Sequence, residues 1–234
     1  MNDRTVSVRR VTKEFGVKEN RAVVLKNLSF EVSAGEFVSV MGPSGCGKST
    51  LLYLIGGLDT PTSGSILTCG YNMARLNDFK KSRIRRRDIG FVFQFYNLVQ
   101  NLTVEENILL PIVMDGGSAI KYKPRMIKLL SMMGIADKLK ATPSKLSGGQ
   151  QQKVAIIRAV ISNPGLILAD EPTGNLDSRS GREVMEHFQH INKMFGITII
   201  MVTHSSESAA YGSRIISMRD GSIESDIYKN EVII

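Results

Sequence analysis

The chain has 234 residues, enough for one large domain with its own core, and its 42% hydrophobic and 22% charged residues are ordinary for a globular protein. No apolar run approaches the roughly 20 residues that cross a bilayer, residues 1–10 lack the apolar stretch of a signal peptide, and Cys46 and Cys69 are too few for a disulfide framework, so a reduced, cytoplasmic setting is expected. The formal net charge of +8 admits nucleic acid or anionic lipid as partners, but no zinc-ligand spacing and no aromatic-rich RNA-binding pattern points to a specific nucleic acid.

In chain order, β-branched or apolar runs bounded by Gly, Pro or polar residues predict strands at 6–11, 28–32, Phe37–Met41, 66–69 and 89–93. Between the last two, six of the eight residues from Lys80 to Arg87 are basic. Such a run reads as a solvated helix face or as a contact for lipid headgroups or a membrane partner. The second reading expects charge removal at Lys80, Lys81, Arg85 and Arg86 to weaken binding to anionic vesicles. The middle of the chain turns helical. Thr103 and Glu106 form a capping box ahead of 108–114. Pro124 suits a first helical turn, with a stripe of Ile127, Leu130 and Met133 stopping at Gly134. Ser147 and Gln150 form a second capping box, followed by Val154, Ile157 and Ile161.

The last third alternates again. Residues 166–169 form a short apolar strand of the buried kind, and Val184, Phe188, Ile191 and Phe195 mark an amphipathic helix. Residues 197–203 are another buried strand, and 214–218 and 222–227 flank the hairpin signal Asp220-Gly221. Strands alternating with helices predict an α/β fold with a mainly parallel sheet, interrupted by a helical insertion between Gln94 and Pro164.

Three motifs carry chemistry. Gly42-Pro43-Ser44-Gly45-Cys46-Gly47-Lys48-Ser49 follows a strand and opens a helix at Thr50, the context a phosphate-binding loop requires. Its glycines let backbone N–H groups close on phosphate oxygens, Lys48 supplies a point charge, and the Ser49 hydroxyl suits Mg²⁺. Cys46 sits inside this loop, so its thiol is expected to be open to maleimide and shielded by nucleotide. The strand at 166–169 runs into Asp170 and Glu171, which lie at the ligand-binding edge of an open α/β sheet. There Asp170 would hold the metal, mainly through water, and Glu171 would orient or deprotonate an attacking water. Leu146-Ser147-Gly148-Gly149-Gln150 offers a hydroxyl and glycine N–H groups at a helix N-terminus, an anion site by geometry.

With all three motifs in this order, Leu-Ser-Gly-Gly-Gln resembles the signature of the ABC ATPases, and the resemblance extends over about 6–224. It implies a P-loop NTPase core made of about 1–94 and 164–234, which includes an N-terminal antiparallel β subdomain, and an inserted α-helical subdomain at about 95–163. It implies ATP and Mg²⁺ as cofactors. Gln94 resembles the glutamine that approaches the metal and relays to a membrane subunit. Asp177 resembles the aspartate at the dimer interface, and His204 the histidine that reads the γ-phosphate. Phe15 lies where the family places an aromatic that stacks on adenine. Thr173-Gly174-Asn175-Leu176-Asp177 and the segment 101–107 look like the subgroup of lipoprotein release, macrolide export and antimicrobial-peptide resistance, which also holds the cell-division ABC ATPase. Lys153 stands where Arg is common in the family, and Ser205 where Asp is common. The resemblance further implies a head-to-tail homodimer with ATP at its interface, in which Ser147 to Gln150 of one copy face the phosphate loop of the other. It also implies an integral membrane permease that holds the chain at the cytoplasmic face of the membrane. A regulatory ATPase driving a non-transporting membrane partner is the alternative.

Overall fold

The computed structural model describes residues 4–16 and 20–229; the outer ends of the expected core, 1–3 and 230–234, lie outside the described residues. Strand β1 (Arg4–Phe15) pairs antiparallel with β2 (Ala22–Ser33) on one side and with β4 (Ser63–Thr68) on the other, and β4 carries the short β5 (Tyr71–Asn72). The second sheet has the order β10-β9-β3-β8-β7-β6, with β3 (Phe37–Met41), β6 (Ile89–Val92), β7 (Leu166–Asp170), β8 (Thr198–Thr203) and β9 (Arg214–Arg219) parallel. Only β10 (Ser222–Tyr228) runs antiparallel, across a turn in which Asp220 (φ 49°) and Gly221 (φ 80°) both adopt the left-handed geometry of a tight hairpin.

Strands β7 and β8 are buried along their whole length, because both faces of the sheet are covered. Alternation along β7 divides the core. Leu166 and Leu168 pack with helix α1 (Lys48–Ile55) and the antiparallel sheet, whereas Ile167 and Ala169 pack with the helices on the opposite face. Those helices are α3 (Val104–Met114), α4 (Ala119–Met132), α5 (Gly148–Val160) and α6 (Ser178–Phe195). The first three lie between β6 and β7 in sequence, yet one unbroken core joins Val104, Ile108 and Ile112 through α5 to the sheet. Helix α5 lies so close on β6 that a Cβ at Gly90 would fall 2.3 Å from the Ala159 carbonyl oxygen.

Both expected capping boxes form, at Thr103/Glu106 and Ser147/Gln150. Helix α4 departs from expectation. It begins at Ala119, so Pro124 is its sixth residue, and the carbonyl left without a donor belongs to Ile120, which is 76% exposed. Its buried face is Met126, Leu129, Leu130 and Met133, an i, i+3, i+4, i+7 set, while Ile127 is rotated out and 44% exposed.

The basic run forms helix α2 (Asp78–Arg87), and most of its charge is spent inside the chain. Arg85 donates to the Gly57 carbonyl at 2.9 Å, Arg86 and Arg87 both bond Asp115, and Lys81 is buried within 4.0 Å of Asp78. A charge-removal variant at Lys81, Arg85 and Arg86 would therefore break the fold's own contacts. Lys80 and Arg83 are exposed and hold no such bond.

Candidate functional site

The strand order places four functional segments at one edge. The carboxyl ends of β3, β8, β7 and β6 are neighbours, and each continues into a segment singled out by the sequence. After β3 comes the loop 42–49, whose glycines serve distinct steric ends. Gly45 and Gly47 take φ of 82° and 99°, and a Cβ on Gly42 would fall 2.3 Å from the Met218 carbonyl oxygen. Lys48 is buried, and its ammonium donates to the carbonyls of Gly42 (2.8 Å) and Pro43 (2.9 Å), which hold the charge over the loop.

Behind the loop, the Ser49 hydroxyl donates to Asp170 Oδ1 at 2.8 Å, and the Tyr53 hydroxyl donates to Oδ2 at 2.9 Å. Burial together with the Asp170 carboxylate pushes the Tyr53 phenol up to about 12, so it remains a proton donor near neutral pH. Ser49 and Asp170 form a hard-oxygen pair. That pair fits Mg²⁺, which takes one or two protein oxygens and completes its shell with substrate phosphates and water. In keeping with so sparse a donor set, no cluster of three or more His, Cys, Asp or Glu side chains suited to a metal occurs among the described residues.

Glu171 follows directly, with φ at 46°, a strained value for a non-glycine residue. Its N–H donates to the Val202 carbonyl at 3.0 Å, and its carboxylate is gripped by His204, through Nδ1 at 3.0 Å and the backbone N–H at 3.4 Å. His204 is steadied from the other side by Ser205, which bonds Thr203 and caps the short helix α7 (Ser206–Ala209) through Ser208 N–H. Gln94, just beyond β6, exchanges hydrogen bonds with Asn175, at 3.2 Å from its side chain and 3.1 Å to its backbone carbonyl.

Ser44, Gly45, Gly47, Lys48, Ser49, Thr50, Gln94, Glu171 and His204 line one open cavity of about 380 Å³. Ser147, Gly148, Gly149 and Gln150 line no part of it. They form the N-terminus of α5, where Gly148 abuts the Tyr96 hydroxyl and Gly149 abuts Ser180. Ser147 Oγ accepts the Gln150 N–H at 3.3 Å and keeps its own O–H to donate. Asp177 caps α6 by accepting from the N–H groups of Arg179 and Ser180, bonds that hold its carboxyl below the usual range. It lines a second groove, of about 190 Å³, that shares Glu171 and His204 with the first. Phe15 ends β1 with its ring 45% exposed and Lys13 Nζ 4.7 Å above the ring centroid, outside the lining of either cavity.

Cys46 corrects an expectation. Its thiol points away from the cavity into the core and is only 5% exposed, so the residue contributes backbone to the loop and an apolar anchor beneath it. Cys69 is held unreactive by a different cause, since burial and the Asp88 carboxylate push its thiol up to about 12. Both thiols should react with maleimide at neutral pH at least about 10²-fold more slowly than a free cysteine, with two thiols per chain appearing in denaturant. Rapid labelling of Cys46 in the native protein, blocked by nucleotide, would restore the original expectation.

Three further residues support the site without belonging to a motif role. Tyr53 follows Ser49 by one helical turn, a spacing that places both hydroxyls on one face. Asn175 lies within the motif 173–177, and its partner Gln94 is 81 positions away. Gln152 is fully buried and donates to the Pro172 carbonyl at 2.7 Å and the Phe93 carbonyl at 3.5 Å, joining α5 to the segments that carry Glu171 and Gln94. Its signal was an i, i+3, i+4, i+7 spacing with the buried Ala155, Ile156 and Ala159.

Comparison with known proteins gives the family and the fold. The family model described as ABC transporter matches residues 25–174. An uncharacterised ABC transporter ATP-binding protein of Methanocaldococcus jannaschii is 46% identical over 224 residues, 96% of this chain and 100% of that protein. The macrolide export ATP-binding/permease protein MacB of Aggregatibacter actinomycetemcomitans is 44% identical over 97% of this chain, which spans only 35% of MacB. A solved ATP-binding cassette, dimeric and bound to ADP and Pi in a post-hydrolysis state, superposes with a TM-score of 0.87 at 41% identity, covering 95% of this chain and 98% of its own.

Proposed function

The chain belongs to the ABC transporter ATP-binding family and is an ATPase, and from that premise we propose that it energises a membrane permease for the export or extraction of a substrate. The observation that carries the proposal is the match to the ATP-binding portion of MacB, a protein whose name joins ATP binding to a permease and to export.

In the proposed cycle, ATP lies in the 380 Å³ cavity. The N–H groups of the loop 42–49 wrap its phosphates and Lys48 offsets their charge. Ser49 and Asp170 would hold Mg²⁺, with Gln94 approaching it, and the ion would neutralise charge on the phosphate oxygens. Glu171 orients or deprotonates the attacking water, and His204 senses the γ-phosphate while gripping the Glu171 carboxylate. Ser147, Gly148 and Gly149 meet the γ-phosphate of a second copy, as the dimeric state of the solved relative suggests. Each charge-assisted bond so formed contributes roughly 1.5–3 kcal/mol, and several of them separate ATP from ADP strongly enough to close and open a dimer. Phe15 stacks on adenine in this reading, with one exposed face of its ring available.

The permease would dock beside Gln94. There Phe95 is 73% exposed, and an apolar cavity of about 320 Å³ opens between Phe93, Leu110 and Met114. Arg158 stiffens this surface by donating to the carbonyls of Tyr96 (2.8 Å) and Asn97 (2.6 Å), and burial pushes its guanidinium down to about 10. No helix among the described residues is long and apolar enough to cross a membrane. Lys80 and Arg83 would add about 1 kcal/mol each on anionic lipid, an assistance to recruitment and no more.

A photo-crosslinking amino acid at Phe95 tests the assignment in cells. The expected product is an adduct with a multi-span membrane protein which, co-reconstituted with this chain, raises its ATP turnover and moves substrate outward. Stimulated turnover without transport selects the regulatory alternative. Adducts confined to soluble or ribosomal proteins would sink both readings.

A further inference from the structure

We propose that Tyr53 is a positioning residue for Asp170, so that the divalent-cation requirement of this ATPase is set from helix α1 as well as from strand β7. The proposal rests on the reading of Asp170 as the carboxylate that serves the nucleotide-bound cation. Two hydroxyls four residues apart on α1 reach one carboxylate, Ser49 Oγ on Oδ1 at 2.8 Å and Tyr53 Oη on Oδ2 at 2.9 Å. A carboxylate held at one oxygen swings about its Cβ–Cγ bond; held at both, it cannot turn without breaking a charge-assisted bond. Each oxygen keeps a second lone-pair direction for the cation or its water.

Tyr53 is suited to the task by its stiffness. Its ring packs partly buried against the core on the α1 side of the sheet, so the hydroxyl is delivered by a fixed body rather than a flexible chain. Asp170 is itself 7% exposed, so water is a poor substitute for a lost donor. Tyr53 does not line the nucleotide cavity, whereas Ser49 does. Its influence on the cation therefore passes through Asp170 and not through the nucleotide.

The test uses the full chain, N-methylanthraniloyl-ATP fluorescence as the binding readout, and Mg²⁺ titration of that affinity. Tyr53→Phe keeps the ring and removes only the donor. It should raise the Mg²⁺ midpoint about tenfold, the lower end of what loss of an outer-shell partner does, and leave affinity in EDTA within about twofold of wild type. Asp170→Asn should also raise the midpoint, and Tyr53→Phe should add nothing in that background, because its effect has no other route. Three outcomes overturn the proposal: an unshifted midpoint in Tyr53→Phe while Asp170→Asn shifts it, additive shifts in the double variant, or a tenfold loss of affinity in EDTA, which marks a general structural role. An unshifted midpoint in Asp170→Asn removes instead the metal reading of Asp170 on which the proposal stands.

Discussion

Replacing Glu171 with Gln is expected to slow ATP hydrolysis by about 10²–10⁴ while leaving ATP binding intact. The substitution keeps the shape of the side chain and removes its capacity to take a proton. The loop 42–49, Lys48, Ser49 and Asp170 make no hydrogen bond to Glu171, so the phosphate-holding half of the site is untouched. Two contacts change character. The His204 backbone N–H keeps an amide oxygen to donate to, whereas Nδ1, 3.0 Å from Oε1, loses a charged acceptor. Because ATP is bound and not consumed, the variant should accumulate as an ATP-dependent dimer on size exclusion, absent with ADP. Turnover in steady-state phosphate release within about threefold of wild type would refute the assignment of Glu171 as the base. Loss of ATP binding would show instead that the strained backbone at Glu171, with its φ of 46°, needs the carboxylate to hold its place.

Elements written in local chemistry were legible in the sequence. The capping boxes at Thr103 and Ser147, the Asp220-Gly221 turn and the fully buried β7 each depend on a few adjacent residues, and each stands where expected. Features that depend on what lies across the fold were not. The inward turn of Cys46 follows from the packing of the loop on the β2 side of the core, which its glycine-rich neighbours do not announce. The exposure of Ile127 follows from which side of α4 meets α5, and a stripe three residues apart is satisfied by two adjacent faces. The partners of Arg86 and Arg87 converge on Asp115, 28 or more residues away, so the run from Lys80 to Arg87 looked freer than it is. Of the site, the residues proposed to meet phosphate are motif residues, because backbone geometry at a strand end dictates their types. The residues that support them are Tyr53 on Asp170, Asn175 on Gln94 and Gln152 on Pro172 beside Glu171; they reach across 117, 81 and 20 positions of chain, and no motif encodes such a distance.

Two inactive variants are expected to restore one another when mixed. Within one chain the cavity that gathers Lys48, Ser49, Gln94, Glu171 and His204 receives nothing from Ser147 to Gln150. The helix N-terminus they form is nonetheless built to meet an anion, with a free hydroxyl proton on Ser147 and small residues at Gly148 and Gly149. If that anion is the γ-phosphate held by a second copy, every site needs a phosphate loop from one chain and a signature from the other. Lys48→Met removes the charge at the loop, and Gly149→Asp sets a negative charge against the incoming phosphate; each homodimer then has two defective sites, and turnover should fall at least about 10²-fold. In a 1:1 mixture, about half of the dimers are mixed. A mixed dimer concentrates both lesions in one site and leaves the other with a native Lys48 and a native Gly149. With one intact site of two in half of the dimers, turnover should recover to about one quarter of wild type. Coupling between the two sites would lower that fraction without abolishing it. A mixture as inactive as its components, when analytical ultracentrifugation shows that mixed dimers form with ATP, would mean that loop and signature act within a single chain.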